Sequence, residues 1–306
     1  MKVLLLAFSC VSLLSCTGLK RSESAPTQTK YVPMQARGAM GLRKRVVVLP
    51  FIDMVPGRSM KVADRSRSAF IRNILKTNQF VAIKPSDLPQ DVERFRMTDK
   101  YNLEALSKMA SGSDVKAVIE GSILDLRAKK LGDQVGVFRK IRAQVTASIK
   151  IRVFSTENQK LIYEDIREAT VETNTRVMGK HNPSSRGLDE DPNLIRAAID
   201  KAMRGSVGGI AKSIDKLNWK GRIAMIQGDR IFVNAGRLSG LQVGDILRVS
   251  SEGQQIYDPE TGVFIGKAPG RSKGTIELVK YFGNDGAVAI IHSGGGFTQN
   301  DIVDIY

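Results

Sequence analysis

The sequence predicts an α+β fold in which an α/β domain with a mixed sheet precedes a small antiparallel β-barrel domain. Three features support this prediction: a continuous apolar run followed by helical periodicity, long segments that alternate apolar and polar residues, and, after Trp219, short apolar segments between glycine turns. The predicted parts are a lipoprotein signal peptide at 1–15, a disordered basic tether at 16–43, the α/β domain at 44–217 and the barrel domain at 218–306.

The first sixteen residues have the layout of a signal peptide. Lys2 precedes a twelve-residue apolar run, which is shorter than the ~20 apolar residues that a bilayer-spanning helix needs. The stretch "LLSC" at 13–16 resembles the lipobox of bacterial lipoproteins, and that resemblance implies cleavage before Cys16 and lipidation of its thiol. The alternative is an ordinary secretory signal that is discarded together with both cysteines, Cys10 and Cys16. In either case the mature fold has no disulfide.

The chain has a formal net charge of +16, part of which lies in the predicted tether. Between Thr17 and Arg45 there are seven Lys and Arg residues and one acidic residue, Glu23, with no hydrophobic period, so this segment buries too little apolar surface to fold. Because the chain is predicted to be exported, anionic lipid or cell-wall polymer is the expected partner of these cations rather than nucleic acid. A simple solvated tether is the alternative. Thr17 stands where aspartate would retain a Gram-negative lipoprotein, which implies sorting to the outer membrane.

The α/β domain is predicted to open with a strand buried on both faces, "RVVVLPF" at 45–51. Helical spacing after Ser59 predicts a helix, which is followed by a strand at 80–85 and a second helix that ends at Gly112. Long amphipathic strands follow, with a turn near 156–158. Asp191 and Pro192 then predict the N-cap and the first position of a long closing helix.

After Trp219, five to seven short strands predict a small antiparallel barrel. This region contains a weak internal repeat, because 240–249 aligns with 296–305, each with a turn followed by Asp-Ile at the start of a strand. Gly244 and Asn300 occupy the same place in the two copies, and both residue types tolerate a left-handed turn conformation. The repeat is a structural feature and predicts no site.

The residues predict no catalytic or metal-binding constellation. The two histidines, His181 and His292, have no cysteine or carboxylate pair at metal-ligand spacing. Ser213 and Lys216 have the S-x-x-K spacing of serine acyl-enzymes, but the partner motifs of that class are absent and the pair lies on the polar side of the closing helix. We therefore expect a chain that is not an enzyme and has no cofactor and no metal.

Other candidate motifs favour structural interpretations. "DPETG" at 258–262 predicts a hairpin turn rather than a calcium or acid–base site. Two glycine groups lack phosphate-loop spacing, and we expect close helix packing from the first and a turn from the second: Gly205, Gly208 and Gly209, then Gly294, Gly295 and Gly296. Six basic residues surround the first long strand connection and lack interleaved aromatics, which indicates either a patch for lipid, glycan or acidic protein or a solvated loop: Arg127, Lys129, Lys130, Arg139, Lys140 and Arg142.

The order of these segments resembles the CsgG/HfaB family of bacterial envelope lipoproteins, which share a TolB-amino-terminal-like α/β domain. This resemblance rests on Cys16, "VVVLPF", "FVAIKPSDL", "AVIEGSI", "ASIKIRVFSTENQKLIYE" and the closing helix. The region after Trp219 is similar to the C-terminal domain of the flagellar ring protein FlgT, with "GDRIFVN", "GLQVGD" and "DPETG" in the family's order. Together the two resemblances cover about 44–306.

These resemblances imply a non-enzymatic oligomer, a ring or pore lipid-anchored in the outer membrane and facing the periplasm, with a flagellar basal body or a curli secretion apparatus as partner. The strand edges within 115–177 are expected to associate with further copies. Two alternatives stay open: a CsgG-like secretion channel, and a regulator of a cell-wall synthase like the LpoB lipoproteins. Charges recur through 124–142 and 163–180, unlike lipid-facing strands, so the sequence favours a soluble assembly component over a channel.

Overall fold

The structure is a computed structural model that describes residues 41–54, 60–132, 138–178 and 191–305. The fold is α+β, as predicted: a six-stranded mixed sheet with helices precedes a closed barrel of six strands. We call the first part, 44–215, the sheet unit and the second part, 221–305, the barrel unit.

The sheet unit opens with a strand that is buried on both faces. β1, Lys44–Val48, sends Val46 and Val48 into one apolar core, whereas Val47 and the following Leu49 enter a second core on the opposite side. Burial on both faces explains why this segment is a continuous apolar run rather than an alternating one. A two-residue strand, β2 at Ile52–Asp53, follows it.

Two helices flank the next strand. α1 spans Met60–Leu75, β3 spans Phe80–Ile83 and α2 spans Leu103–Ala110. The second helix was expected to continue to Gly112, but its α-helical part ends at Ala110 and a single 3₁₀ turn, Ser111–Ser113, extends it. The turn ends at Asp114, whose φ of 57° is left-handed, and this conformation directs the chain out of the helix.

Three long antiparallel strands complete the sheet: β4 at Ala117–Gly132, β5 at Phe138–Ser155 and β6 at Leu161–Met178. The strand order is β3-β1-β4-β5-β6 with β2 beside β4, and β1 is parallel to both β3 and β4. From Ala143 to Val153, alternate residues of β5 are fully buried, while their neighbours are half-buried on the polar face. The predicted amphipathic strands and the turn between β5 and β6 are confirmed.

The closing helix, α3 at Pro192–Asp215, covers the apolar face of these strands. Its predicted N-terminus is confirmed, because the Asp191 carboxylate accepts a hydrogen bond from the Asn193 N–H at 2.8 Å and Pro192 is the first helical residue. The apolar stripe of α3 packs into the same core as alternate residues of β5: Leu194, Ala198, Ile199, Ala202, Met203, Ile210, Ala211 and Ile214.

The barrel unit closes in the strand order β12-β13-β8-β7-β14-β9. These strands are β7 at Gly221–Gln227, β8 at Arg230–Val233, β9 at Ile246–Ser250, β12 at Ser272–Phe282, β13 at Gly286–Gly294 and β14 at Ile302–Ile305. A separate hairpin, β10 at Gln255–Tyr257 and β11 at Phe264–Lys267, projects between β9 and β12 in the chain.

The internal repeat places its two copies side by side. β9 and β14 are antiparallel neighbours in the barrel, with Val249 opposite Val303. The turns before them also match: Gly244 and Asn300 have φ values of 90° and 70°, the Gly244 N–H donates to the Leu278 carbonyl at 2.7 Å, and the Asn300 N–H donates to the Ile223 carbonyl at 2.9 Å. The repeat is therefore a local two-fold symmetry of the barrel.

Candidate functional site

The predicted point of membrane attachment, Cys16, lies outside the described residues. The described chain begins at Gly41, and residues 41–43 lie against the barrel unit before β1 starts. The Arg43 N–H donates to the Ser239 carbonyl at 3.0 Å, and Leu42 packs on the barrel core. Within the described ranges, no helix is both long enough and apolar enough to cross a membrane.

The sheet unit ends in a long strand with a free edge. β6 is the last strand in the order of the described sheet; its backbone ladder pairs it with β5 over Leu161–Met178, and its Thr170 carbonyl accepts a hydrogen bond from the Lys201 side chain at 2.9 Å. A free edge presents unpaired backbone N–H and C=O groups to another chain. The strand edges predicted from the sequence as an association region therefore include one that is open within the described sheet.

The polar face beside this edge has its charges sorted by strand. Glu164, Glu168 and Glu172 form a carboxylate row on β6, and Arg127 and Lys129 form a basic row on the same face of β4. The pairings between strands identify this common face, since Arg127 is opposite Thr146 and Thr146 is opposite Thr170. The two rows are separated by β5, whose Lys150 pairs with Glu164 at 2.5 Å, while Arg127 pairs with Asp125 on its own strand. The face thus has three carboxylates at the free edge and two cations two strands away, and some of these charges are already paired within the chain.

The basic cluster predicted around the first strand connection is only partly described. Arg127 donates to the Asp125 carboxylate at 2.7 Å and approaches Glu168 to 4.0 Å, whereas Lys129 is exposed. The side chains of the other four predicted members, which are Lys130, Arg139, Lys140 and Arg142, lie outside the description. Arg127 and Lys129 therefore belong to a sheet face and not to a loop.

A network of ion pairs joins the two units. Arg222 of the barrel unit donates to Asp114 of the sheet unit at 2.7 Å and to Glu252 of its own unit at 3.2 Å. Lys220 donates to Glu157 of the sheet unit at 2.6 Å. The hydrogen bonds from Arg222 and then Lys267 lower the pKa of Glu252 to about 2. These contacts fix the barrel against two neighbouring turns at one end of the long strands, the turn before β4 and the turn between β5 and β6.

Asn234 and Asp285 extend this junction. The Asn234 side-chain amide donates to Asp114, and its oxygen accepts from the Arg222 N–H at 2.8 Å. Asp285 accepts from the Gly236 and Ser239 N–H groups at 2.9 Å and pairs with Arg45 of β1 at 3.4 Å. The sequence analysis identified none of these residues, because the contacts between the units join positions that are 63 to 240 residues apart and have no local pattern.

The motifs that were expected to have structural roles are found in structural positions. The Asp258 carboxylate accepts from the Glu260 and Thr261 N–H groups at 3.0 and 2.8 Å, as the hairpin prediction requires, and the hydrogen bond from Thr261 lowers its pKa. His292 is exposed and shares a 2.9 Å hydrogen bond with Thr275, whereas His181 lies outside the description. Ser213 and Lys216 lie at the end of α3. No group of three metal-ligating residues occurs among the described residues.

The two glycine groups differ in how closely they are packed. A Cβ on Gly209 would come within 2.5 Å of the Tyr163 ring on β6, so the expected close helix packing is confirmed there. It does not extend to Gly208, which has no atom within 4 Å of an added Cβ, because that glycine faces solvent. Gly294 and Gly296 have φ values of 77° and 70°, a left-handed conformation that glycine adopts readily, but Gly294 is the last residue of β13 and the expected turn stays a prediction.

No family model matches the chain, and no curated protein matches it. Among solved structures, it is similar to the hypothetical protein CT253 from Chlamydia trachomatis at 13% identity and a TM-score of 0.33, covering 56% of this chain and 98% of that one. It is also similar to the PelC dodecamer from Paraburkholderia phytofirmans at 10% identity and a TM-score of 0.29, covering 53% and 86%. Lipoprotein GNA1162 from Neisseria meningitidis matches at 14% identity and a TM-score of 0.28, covering 46% and 86%. TM-scores this low carry no argument about function, and the CsgG and FlgT resemblances stay hypotheses.

Proposed function

We propose that this protein is a non-enzymatic lipoprotein, anchored in the outer membrane through Cys16, whose periplasm-facing body assembles into an oligomeric ring. The lipobox supports the anchor, and the resemblances to CsgG and FlgT support an assembly role in a flagellar ring or a secretion apparatus. The observation that carries the assembly step is the free edge of β6 with its carboxylate row. Flagellar and secretion roles share this step.

The distribution of charge specifies how copies would meet. A ring requires a contact between two different surfaces of the same chain, since a contact between identical surfaces closes after two copies. The carboxylate row of Glu164, Glu168 and Glu172 and the basic row of Arg127 and Lys129 are two such surfaces with opposite charge. The acidic edge of one copy meets the basic row of the next in this proposal.

Charge reversal tests the assembly step. The triple variant Glu164→Lys, Glu168→Lys and Glu172→Lys gives both rows the same sign, and we expect it to stay monomeric because like charges at a contact oppose association. The measurement is the mass of the full chain in detergent by light scattering after size exclusion, together with electron microscopy of the wild type.

A second variant makes this test specific. Arg127→Glu with Lys129→Glu makes both rows negative, so it too should be monomeric alone. Mixed with the triple lysine variant, it should form mixed oligomers, because each variant then presents the charge that the other lacks. The proposed contact would be contradicted if the triple variant formed oligomers like those of the wild type, or if the mixture of the two variants stayed monomeric.

The anchor is tested by the two cysteines. Cys16→Ala should abolish incorporation of radiolabelled palmitate and release the chain from the membrane fraction, since attached acyl chains hold it there. Cys10→Ala is the matched control and should be labelled like the wild type, because Cys10 lies within the predicted signal peptide. Palmitate incorporation into the Cys16→Ala chain would refute the anchor.

A CsgG-like secretion channel is the second candidate, and strand length is the observation that favours it. β4, β5 and β6 contain 16, 18 and 18 residues, more than the ~9 to 11 that cross a bilayer as a strand. Single cysteines placed along 124–142 separate the two roles. Uniform labelling by a water-soluble maleimide supports the soluble ring, and an alternating pattern supports the channel.

A further inference from the structure

A cleft of about 600 Å³ lies between the two units. On the sheet side it is lined by the end of the 3₁₀ turn, by Lys116 just before β4 and by the turn at Thr156–Asn158. On the barrel side it is lined by Lys220 to Arg222 and by the chain on both sides of the β10–β11 hairpin. Clefts of this size between structural units are the usual location of small-molecule sites.

The hairpin side of the cleft is built by two chain segments in very close contact. A Cβ on Gly253 would lie 1.6 Å from the Ala268 carbonyl oxygen, and a Cβ on Gly270 would lie 1.7 Å from the Ser251 carbonyl oxygen. Neither glycine has a positive φ, so the need for glycine at these two positions comes from the close backbone contact itself. This wall is therefore held by backbone against backbone and is defined in shape.

The charges that line the cleft are paired with one exception. Four carboxylates line it, and each forms an ion pair with a lining cation: Glu157 with Lys220, Asp114 with Arg222, Glu252 with Arg222 and Lys267, and Asp304 with Arg248. The fifth lining cation is Lys116. Among the described residues its ammonium forms no ion pair and donates no hydrogen bond. The cleft thus holds a surplus of one positive charge.

Lys116 is also deeply buried. Only 8% of the residue is exposed, less than for any other lysine or arginine that lines the cleft. Burial lowers its pKa to about 8, against the opposite effects of Glu157 and Asp114, while Lys220 and Arg222 add to the lowering. An ammonium held there is largely desolvated, and the two carboxylates that favour its charged form, Glu157 and Asp114, are already paired with other cations.

Stability gives no reason to keep this side chain. An apolar residue of the same length would avoid the desolvation of an unpaired charge, and such replacements are often neutral or stabilising. The neighbouring carboxylates are already paired with Arg222 and Lys220, so they do not supply the missing partner. A ligand that enters the cleft from outside can supply this partner.

We propose that the cleft is a binding site for a molecule with a single carboxylate, which pairs with Lys116. A monoanion neutralises the surplus charge, whereas a dianion such as sulfate would replace it with a surplus of the opposite sign. The carboxylate can belong to a free small molecule or to the C-terminus of a peptide, and the two sources share this chemistry.

The test compares acids with their own amides on the full chain. N-acetylalanine and N-acetyl-trialanine, each as the free acid and as the C-terminal amide, are titrated and followed by saturation-transfer NMR. We expect each acid to bind at least about tenfold more tightly than its amide, because only the acid pairs with a desolvated ammonium. Equal binding of the two acids assigns the site to free carboxylates, and tighter binding of the tripeptide assigns it to a peptide terminus.

Variants locate the binding. Lys116→Met should lose acid binding by at least about tenfold and retain the wild-type melting temperature or exceed it. Lys212→Met removes the same charge from the exposed surface of α3 and should bind as the wild type does. The proposal is overturned if the acids and amides bind alike, if Lys116→Met binds the acids like the wild type, or if sulfate binds as tightly as the acids. The acid–amide comparison on the wild type decides the question even if Lys116→Met fails to fold.

Discussion

Glu252 connects a loop of the barrel unit to the junction between the units. Its carboxylate accepts from Arg222 and from Lys267, at 3.2 and 2.8 Å. Both hydrogen bonds require the charged form, and the pKa of Glu252 accordingly falls from an ordinary value of 4.5 to about 2. A carboxylate whose pKa is lower in the folded chain stabilises the fold only while it is ionised.

This shift predicts a pH dependence of stability. Because the folded pKa is depressed, the contribution of Glu252 is fully present above about pH 4.5 and is lost as the pH falls toward about 2. We expect Glu252→Gln to reduce the slope of unfolding free energy against pH within this window, measured by urea denaturation. Asp229→Asn, which removes a carboxylate from another exposed turn of the barrel unit, is the comparison. A wild-type slope in Glu252→Gln would contradict the prediction.

The packing of α3 on β6 depends on one glycine. Gly209 and Gly208 are adjacent in the helix, but only Gly209 faces the Tyr163 ring, and Tyr163 is itself held by a 2.7 Å hydrogen bond to Asp165. The hydrogen bond holds the ring in place, so a methyl group added at Gly209 would clash with it.

The two glycines form a matched pair of variants. Gly208→Ala should stabilise the chain by about 0.5–1 kcal/mol, because alanine is a better helix former and meets no atom there. Gly209→Ala gains the same propensity but overpacks the contact with Tyr163, which costs about 1–3 kcal/mol. Chemical denaturation of both variants should place Gly209→Ala below Gly208→Ala. The reverse order would show that Tyr163 moves aside without cost.

The elements show what the sequence could predict. The N-cap at Asp191, the apolar stripe of α3 and the doubly buried β1 follow from local pattern, and each is confirmed. The repeat predicted matching turns, but not that β9 and β14 are neighbours, because strand pairing depends on how the whole barrel closes. The sequence could not reveal the surplus charge at Lys116 either. That surplus exists because the other cations of the cleft, which come from distant segments of the chain, pair with its four carboxylates.

At the scale of the whole molecule, the junction couples two units whose apolar cores share no residues. The sheet unit has a core on each face of its sheet, the barrel unit has one core, and the ion pairs of Lys220 and Arg222 with Glu157 and Asp114 lie between the two units. Removing one member of a largely buried ion pair leaves the other member uncompensated. The two units should then lose part of their coupling.

Unfolding of the full chain tests this coupling. We expect one thermal transition in the wild type and two in Lys220→Met with Arg222→Met, with a total loss of about 2–4 kcal/mol, since these pairs are partly exposed. Arg230→Met with Lys212→Met removes the same charge from exposed side chains that do not line the cleft between the units, and this variant should retain one transition. A single transition at the wild-type temperature in the first double variant would mean that the apolar contacts alone couple the units.

The position of residues 41–43 also has a mechanical consequence. The chain that follows Cys16 touches the barrel unit at Arg43 before it enters β1, which is paired along its length with β3 and β4. If the proposed anchor at Cys16 holds the chain, a pulling force that reaches Gly41 loads the contacts of Leu42 and Arg43 with the barrel unit before it loads β1. Rupture of these contacts would release residues 41–43 while the sheet stays intact, because the hydrogen bonds of β1 to its two neighbouring strands are loaded together in shear. The contacts of residues 41–43 would thus yield before the fold does.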